Sequence, residues 1–254
     1  MKARIAIPVK EFRSLLNSVK KVRQSALIKI KDNTLTVLAA ADANLIYVLS
    51  TIKLPDEMDN AMELELPIAD VTKLIKICDF AGSDKIILEI NDNVVKYRDK
   101  NVNLKFYLAE QLIVSVPDQV TPEGFDKFKI DFETDIPRDR IQQLEKAHAF
   151  VCGTVSDIKI YFYLDSNCLY GEIGDRLTAN TDSLSVKLCD KYAGYLADTL
   201  PIKFDLWSLL NLNSDSVKFK ASKISRRGMT GYVLFIEQES GELRTRYLMK
   251  SVKG

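Results

Sequence analysis

The 254-residue chain lacks most of the residues and motifs on which common catalytic sites depend. It has a single histidine, His148, and four cysteines without a CxxC pair, so neither a histidine-rich metal site nor a zinc cluster is expected. It also lacks the GxxxxGK(S/T) and GxGxxG patterns that cradle phosphates. These absences favour a binding protein that has no catalytic residues, no metal and no cofactor.

Long apolar runs are absent as well. No stretch approaches the roughly 20 apolar residues of a membrane helix, and the N-terminus has no apolar segment of signal-peptide length. The dispersed cysteines are typical of free thiols in a reducing compartment. We therefore expect a cytoplasmic protein, in the host cytoplasm if the chain is viral, without a membrane partner.

Two pairs of similar segments indicate an internal duplication. IPVKEFRSLLNSVKKV from Ile7 is similar to IPRDRIQQLEKAHAFV from Ile136, and LPIADVTKLIKI from Leu66 is similar to LPIKFDLWSLLNL from Leu200. Each of these segments is helix-like, and stretches with alternating β-branched and aromatic residues lie between them. The sequence thus predicts an α+β fold of two similar domains, each with two helices packed on antiparallel sheets.

The domain limits follow from the same pattern. We expect an N-terminal domain at residues 1–110, a connector with two prolines and a glycine at 111–129, and a C-terminal domain at 130–254. Helices are predicted at 8–24, 67–80, 136–150 and 204–213, with His148 on the buried stripe of the third. IKDNTL, INDNVV and QESGEL predict hairpin turns.

The net charge is only +1, but positive charge is concentrated on the predicted helices. The helix at 8–24 carries +4, with its apolar residues on one face and almost no glutamate among the basic residues opposite. Such side chains are typical donors to phosphate, although a merely solvated face is the alternative. The candidates for sequence-independent contact with duplex DNA are Lys10, Arg13, Lys20, Lys21, Lys73, Lys76, Arg138, Arg140 and Lys146.

With this duplicated pattern, the sequence resembles the DNA sliding clamps. TVLAAADANLIYVLSTIKL is similar to the strand–Asp–strand passage of PCNA-type clamps, and AEQLIVSVPDQVTP is similar to the interdomain connector of T4-type bacteriophage clamps. The C-terminus RYLMKSVKG lacks the acidic tail usual in PCNA, which favours the phage type. The resemblance covers the whole chain as a pattern, without a diagnostic short motif.

This resemblance implies a non-catalytic, pseudo-sixfold ring that encircles duplex DNA and tethers the replicative DNA polymerase for processive synthesis. It also implies a clamp-loader ATPase as a partner and, for phages of the T4 kind, a role in late transcription. Twelve helices spaced by ~9.5 Å leave a bore of about 26 Å, whereas eight leave about 14 Å. Only the wider bore admits a duplex about 20 Å across, so a homotrimer is expected.

The resemblance implies two further surfaces. Subunits would join through strands at 102–109 and 183–188, with interface residues Val102, Leu104, Phe106, Leu108, Leu184, Val186 and Leu188. Partner tails would dock in an apolar pocket beneath the connector, with walls formed by Ala41, Leu45, Leu112, Val114, Val116 and Leu248. For both sets, ordinary packing within the chain is the alternative.

Other functions remain open at this point. A monomeric or dimeric viral-type processivity factor would bind DNA electrostatically, but the net charge of +1 argues against it because phosphate contacts dominate affinity. An enzyme that modifies DNA or uses nucleotides would need the phosphate loops that this chain lacks. A structural protein without a DNA role is the last alternative.

Overall fold

The chain forms two compact units, described here from a computed structural model. Residues 3–41, 45–55, 63–91, 93–114, 117, 120–151, 157–178, 181–226 and 229–252 are described. The division falls between Pro122 and Glu123, inside the predicted connector, but residues Glu239–Thr245 belong to the first unit. The sequence did not predict that these residues, far along the chain, would pack with the first unit.

The first unit places two helices beside antiparallel strands. Its elements are β1 (Ala3–Pro8), α1 (Val9–Val22), β2 (Ala26–Lys31), β3 (Thr34–Ala40), β4 (Ile46–Lys53), β5 (Leu64–Ile68), α2 (Val71–Asp79), β6 (Lys85–Asn91), β7 (Val94–Arg98) and β8 (Asn103–Tyr107). The strands run in the orders β1-β6-β7-β8 and β5-β2-β3-β4. Helix α1 packs on β3 and β4 and against α2, and β8 lies at one edge of its sheet. Two short 3-10 turns follow, at Gln111–Ile113 and Pro122–Asp126.

The second unit repeats this plan. Its elements are β9 (Phe132–Pro137), α3 (Arg138–Val151), β10 (Lys159–Asp165), β11 (Cys168–Gly174), β12 (Leu184–Cys189), β13 (Ala193–Gly194), β14 (Leu200–Lys203), α4 (Phe204–Ser208), β15 (Ser216–Arg226), β16 (Met229–Ser240) and β17 (Leu243–Lys250). The strand orders are β12-β11-β10-β14 and β13-β9-β15-β16-β17. Helix α3 packs on β11 and β12. Apart from the two-residue β13, each element matches one of the first unit in order.

Matching backbone details show that the duplication is structural. The β2–β3 hairpin turns through Asp32 and Asn33, both with positive φ, and the β10–β11 hairpin turns through Ser166 and Asn167 in the same way. Positive φ at both central positions is the signature of a tight hairpin turn whose twist matches the strands. The first amide of α1, that of Val9, donates to the Asp84 carbonyl at 2.8 Å. The first amide of α3, that of Arg138, donates at the same distance to the Asp215 carbonyl, which is the corresponding position of the second unit. The predicted α+β fold with a repeated domain plan is confirmed.

Residues 239–245 complete the first unit from far along the chain. The Lys53 amide donates to the Glu242 carbonyl at 3.2 Å, and the Ser50 hydroxyl donates to Thr245 Oγ1 at the same distance. Gly241 lies against α1, where an added Cβ would come within 2.6 Å of the Glu11 carboxylate. The hairpin tip thus fills the groove between α1 and β4.

Several predicted helix limits were wrong. Leu66, Pro67 and Ile68 lie in β5, and α2 begins only at Val71, where the Asp70 side chain accepts from the Thr72 amide at 2.9 Å. Such a cap stabilises a helix start by about 1 kcal/mol. Helices α1 and α3 are each shifted by one or two residues from the predicted limits. Helix α4 ends at Ser208, five residues before the predicted end.

Candidate DNA, subunit and partner surfaces

Helix α1 separates an apolar face from a basic one. Phe12, Leu15, Leu16 and Val19 are buried, and each such side chain contributes about 1.5–3 kcal/mol to folding. Lys10 and Lys20 are exposed on the other face. Glu11 in the first turn and the lysines of the last turn also complement the helix dipole, so the sequence of α1 serves both the fold and the surface charge.

Helix α2 adds a second basic edge beside α1. Val71, Leu74, Ile77 and Cys78 are buried, and burial raises the pKa of the Cys78 thiol to about 11. Lys73 and Lys76 are exposed.

Four of the five lysines on α1 and α2 remain available to an outside partner. Among the described residues, none of Lys10, Lys20, Lys73 and Lys76 forms an ion pair. All four belong to the first unit. Four uncompensated lysines on two packed helices make a surface that attracts phosphate without base recognition.

Arg13, unlike these four lysines, has a charged partner inside the chain. Its guanidinium forms an ion pair with Asp79 at 2.7 Å, which ties α1 to the end of α2. Lys21 also has an interaction within the chain. These two side chains are therefore less available to phosphate than the four lysines.

The basic residues of α3 are partly engaged. Arg138 donates to the Asn213 carbonyl at 2.9 Å, and Arg140 donates to Gln143 at 3.1 Å while lying 3.8 Å from Asp139. Lys146 is exposed and lines a groove beside β12. His148, expected on the buried stripe, is instead half-buried and stacks on Phe204 with 3.8 Å between ring centroids. On α3, Lys146 is thus the one described lysine or arginine without a hydrogen bond or ion pair, compared with four lysines on α1 and α2.

Both strands predicted to join subunits lie at sheet edges. In β8 and its flanks, Phe106 is buried while Val102, Leu104 and Leu108 are half-buried; in β12, Val186 and Leu188 are buried and Leu184 is half-buried. Tyr107, at the end of β8, is 67% exposed to solvent. Edge strands with unpaired backbone groups are templates for another strand.

An aromatic residue beside the β12 edge is not among those predicted from the sequence. Phe150, at the end of α3, is 60% exposed and lines a groove of about 450 Å³ together with Ala147, Leu184 and Val186. At 100° per residue, Phe150 lies on the face opposite Ile141. An aromatic residue on the polar face of a helix was the signal that could have found it.

The predicted partner pocket is only partly described. Ala41 and Leu45 are half-buried, Val114 is buried, and Leu112 is 97% exposed on the 3-10 turn. Val116 lies outside the described residues, and Leu248 is a buried residue of β17 in the second unit.

The connector turn is held against β5. The Gln111 side chain donates to the Glu65 carboxylate, and the Ala109 amide donates to the Pro67 carbonyl at 3.0 Å. Leu112 thus remains exposed on a turn that is anchored to β5.

The part of the chain that the structure describes has neither a metal-binding cluster nor a membrane-spanning helix. It contains no group of three or more His, Cys, Asp or Glu side chains placed to hold a metal ion. No helix in the described ranges has the length and apolar character needed to cross a membrane.

Comparison with solved structures identifies the fold as that of the DNA sliding clamps. No family model and no curated protein matches the sequence. The structure of A. fulgidus PCNA, solved with the C-terminal region of FEN-1, matches this chain with 12% sequence identity and a TM-score of 0.72. The match covers 99% of this chain and 99% of the PCNA chain. The Entamoeba histolytica PCNA gives 15% identity, coverage of 99% and 98%, and the same TM-score.

The chain matches the solved clamps over different shares of their own length. A DNA polymerase sliding clamp from Bacillus subtilis, at 14% identity and a TM-score of 0.68, is matched over 99% of this chain but only 64% of its own. Of the two PCNA chains, 99% and 98% are covered instead. The two units of this chain together thus match almost the whole of each PCNA chain.

Proposed function

We propose that this chain is a non-catalytic DNA sliding clamp, which encircles duplex DNA and tethers a DNA polymerase for processive synthesis. The four unpaired lysines on α1 and α2, carried by a clamp fold, are the observation that supports this function most directly. A modest basic surface on a chain with net charge +1 suits movement along DNA, since extensive phosphate contacts would hold the protein in one place.

Ring closure by a homotrimer is supported by the repeat itself. In the first unit, the tip of the β16–β17 hairpin fills the groove between α1 and β4. The corresponding groove of the second unit, between α3 and β12, is open and presents Phe150. The hairpin that corresponds to β16–β17 is β7–β8, so we infer that β7–β8 of another copy fills this groove.

This contact is head-to-tail, because the two surfaces differ. Such contacts generate a ring when the rotation closes, and the twelve-helix bore favours three copies. Of the seven interface residues predicted from the resemblance, five lie in β8 and β12, and Val102 and Leu108 flank β8; Phe150 and Tyr107 join them in this proposal.

Partner proteins would dock on the connector around Leu112, Val114, Ala41 and Leu45. The A. fulgidus PCNA was solved with a C-terminal region of FEN-1 bound, which supports a tail as the kind of ligand. A polymerase and a clamp-loader ATPase are the expected partners. A host cytoplasm, a bacteriophage origin and a role in late transcription remain hypotheses from the sequence.

The decisive experiment combines solution mass with topology on DNA. Light scattering over a concentration series should give a species near three times 28.8 kDa. A protein loaded on nicked circular DNA should survive high salt and leave when the circle is cut, because a ring is held by linkage and phosphate contacts are screened. A persistent monomer that leaves in salt from circles and linear DNA alike would establish the electrostatic, open factor instead.

The lysines are tested in the same assay. Replacing Lys10, Lys20, Lys73 and Lys76 by Ala should preserve the trimer and reduce polymerase stimulation several-fold. The matched control replaces four exposed lysines outside the helices, Lys53, Lys127, Lys129 and Lys191, and removes the same charge. Equal losses in the two variants would show that the helical surface has no special part in DNA contact.

A further inference from the structure

The solvent face of the sheet β1-β6-β7-β8 carries positive charge that the functions described above do not use. Every second residue of these strands is buried in the first unit, as Ile5, Leu88 and Val95 show. The charged side chains of the four strands all lie on the opposite side, which we call the basic face. They are five cations and one acid: Arg4, Lys85, Lys96, Arg98, Lys105 and Glu89.

The strand register brings three of these cations together. Lys96 on β7 lies directly opposite Lys105 on β8, and Arg98 is two residues further along β7. Directly opposite side chains have Cβ atoms about 5 Å apart, and residues two apart on a strand are separated by about 7 Å. Like charges in opposite positions destabilise a sheet, so this cluster lowers the stability of the sheet unless a partner supplies negative charge.

On other strands, basic side chains have acidic partners. In the same unit, Lys29 lies opposite Glu65 in the pairing of β2 with β5 and forms an ion pair with it at 2.7 Å. Within the ranges that the structure describes, none of the five cations of the basic face forms an ion pair, and neither does Glu89. The charge of this face is therefore available to another molecule.

The corresponding face of the second unit holds its charges in ion pairs. There β9, β15 and β16 take the places of β1, β6 and β7. Lys218 pairs with Glu133 at 3.3 Å, and Lys220 pairs with Glu237 at 3.2 Å. Counted from the Ile-Pro that ends β1 and β9, Glu133 corresponds to Arg4. The duplicated plan thus allows ion pairs on this sheet, and the unpaired cations are a property of the first unit.

An apolar side chain lies beside the three clustered cations. Ile87 on β6 is 39% exposed on the basic face. It precedes Leu88, which pairs with Tyr97, so Ile87 comes next to Arg98. A nucleic acid fits this face less well, because Glu89 repels phosphate and the inner strands β6 and β7 present no exposed aromatic ring for a base to stack on. Carboxylates arranged around an apolar side chain match both the charge and Ile87.

We propose that the basic face docks an acidic segment of a partner protein. Carboxylates of the segment pair with Lys96, Arg98 and Lys105, and an apolar side chain between them packs on Ile87. Binding removes the repulsion within the cluster, since each cation gains an opposite charge. The contact requires neither DNA nor ring closure, and it goes beyond the sliding-clamp function proposed above.

The probe is a fluorescein-labelled peptide, EDELDEDE, whose fluorescence anisotropy is titrated with the full chain in the absence of DNA. We expect saturable binding that weakens as salt rises, because exposed charges are screened. Lys96→Gln combined with Arg98→Gln should weaken binding at least fivefold, and both changes lie on β7, away from the β8 edge. The matched control, Lys53→Gln combined with Lys191→Gln, removes the same charge from exposed lysines elsewhere and should leave the affinity unchanged within twofold.

The apolar contact is tested with a second peptide. EDESDEDE, in which serine replaces leucine, should bind several-fold more weakly than EDELDEDE to the wild type. Both peptides should bind alike to Ile87→Ser, because this variant lacks the apolar partner. Equal affinity of the two peptides for the wild type would leave charge as the only attraction and would contradict the proposed contact.

Urea denaturation separates docking from a structural role. The urea midpoint of the β7 variant, Lys96→Gln with Arg98→Gln, should equal or exceed that of the wild type, because the change relieves repulsion. A lower midpoint would assign these cations to the stability of the fold and would overturn the proposal.

Three binding results would also overturn it. They are an absence of saturable peptide binding, an equal loss in the β7 variant and the lysine control, and a greater loss for a labelled short DNA duplex than for the peptide on the β7 variant. The last would make the basic face a surface for DNA. Because the peptide assay contains no DNA and needs no ring, linkage to circular DNA remains a separate test of the sliding clamp.

Discussion

Replacing Phe150 by Ser should dissociate the proposed trimer without unfolding the chain. A phenylalanine side chain offers about 200 Å², of which 60% is exposed here, so about 120 Å² becomes buried if another copy covers it. At ~25 cal/mol per Å² this area is worth about 3 kcal/mol, or roughly a hundredfold in the dissociation constant of each contact. The free energy of unfolding of the single chain should stay the same, because the exposed Phe150 side chain contributes little to the core of the chain.

The assay is sedimentation velocity over a concentration series, which follows the midpoint of trimer formation. Leu112→Ser is the matched control, since it removes an even more exposed apolar side chain from a segment that we assign to partner docking. The midpoint should rise at least tenfold for Phe150→Ser and stay constant for Leu112→Ser. A shift below about threefold for Phe150→Ser, with an unchanged thermal midpoint, would refute the groove between α3 and β12 as a subunit contact.

Two further predictions concern single residues of the fold. Asp99 accepts hydrogen bonds from the Asn101 amide, the Tyr97 hydroxyl and the Val102 amide, which hold the pKa of its carboxyl group below its usual range. Its contribution to stability is complete above the unfolded value near pH 4 and is lost as pH falls through the lower folded value. The difference in urea midpoint between wild type and Asp99→Asn should therefore shrink below about pH 4; a constant difference from pH 7 to 3 would contradict this. Gly194 has a φ of +81°, and an added Cβ would lie 2.0 Å from the Asp131 carbonyl oxygen, so Gly194→Ala should lower the free energy of unfolding by roughly 1–3 kcal/mol. Gly82→Ala, which meets nothing within 4 Å, should be nearly neutral in the same denaturation experiment.

Local patterns predicted the parts of the fold that local forces determine. The apolar stripe of α1 and the hairpin turn at Asp32 and Asn33 could be read from a few neighbouring residues, because their periodicity and turn chemistry are contained there. The duplication was visible from two segment pairs. The sequence pattern predicts helix starts at Ile-Pro and Leu-Pro-Ile, whereas these residues lie in the strands that precede the helices.

Distant contacts explain what the sequence could not show. The predicted helix at 204–213 stops at Ser208 because the following backbone bonds to distant side chains: the Asn211 amide donates to the Tyr247 hydroxyl, and Gln238 bonds to the Asn211 carbonyl. The pairing of Arg13 with Asp79 likewise depends on the packing of two helices. Residues of the candidate DNA surface could therefore be predicted as a set, but not sorted into free and engaged ones.

The return of residues 239–245 to the first unit has a consequence for biosynthesis. The groove between α1 and β4 stays uncovered until more than a hundred residues beyond Pro122 have left the ribosome. Contacts of such sequence separation form late, because a long loop must first close. The N-terminal half is thus expected to wait in an incomplete state during translation, with a sheet edge open to wrong partners, and to finish folding together with the last strand of the nascent chain.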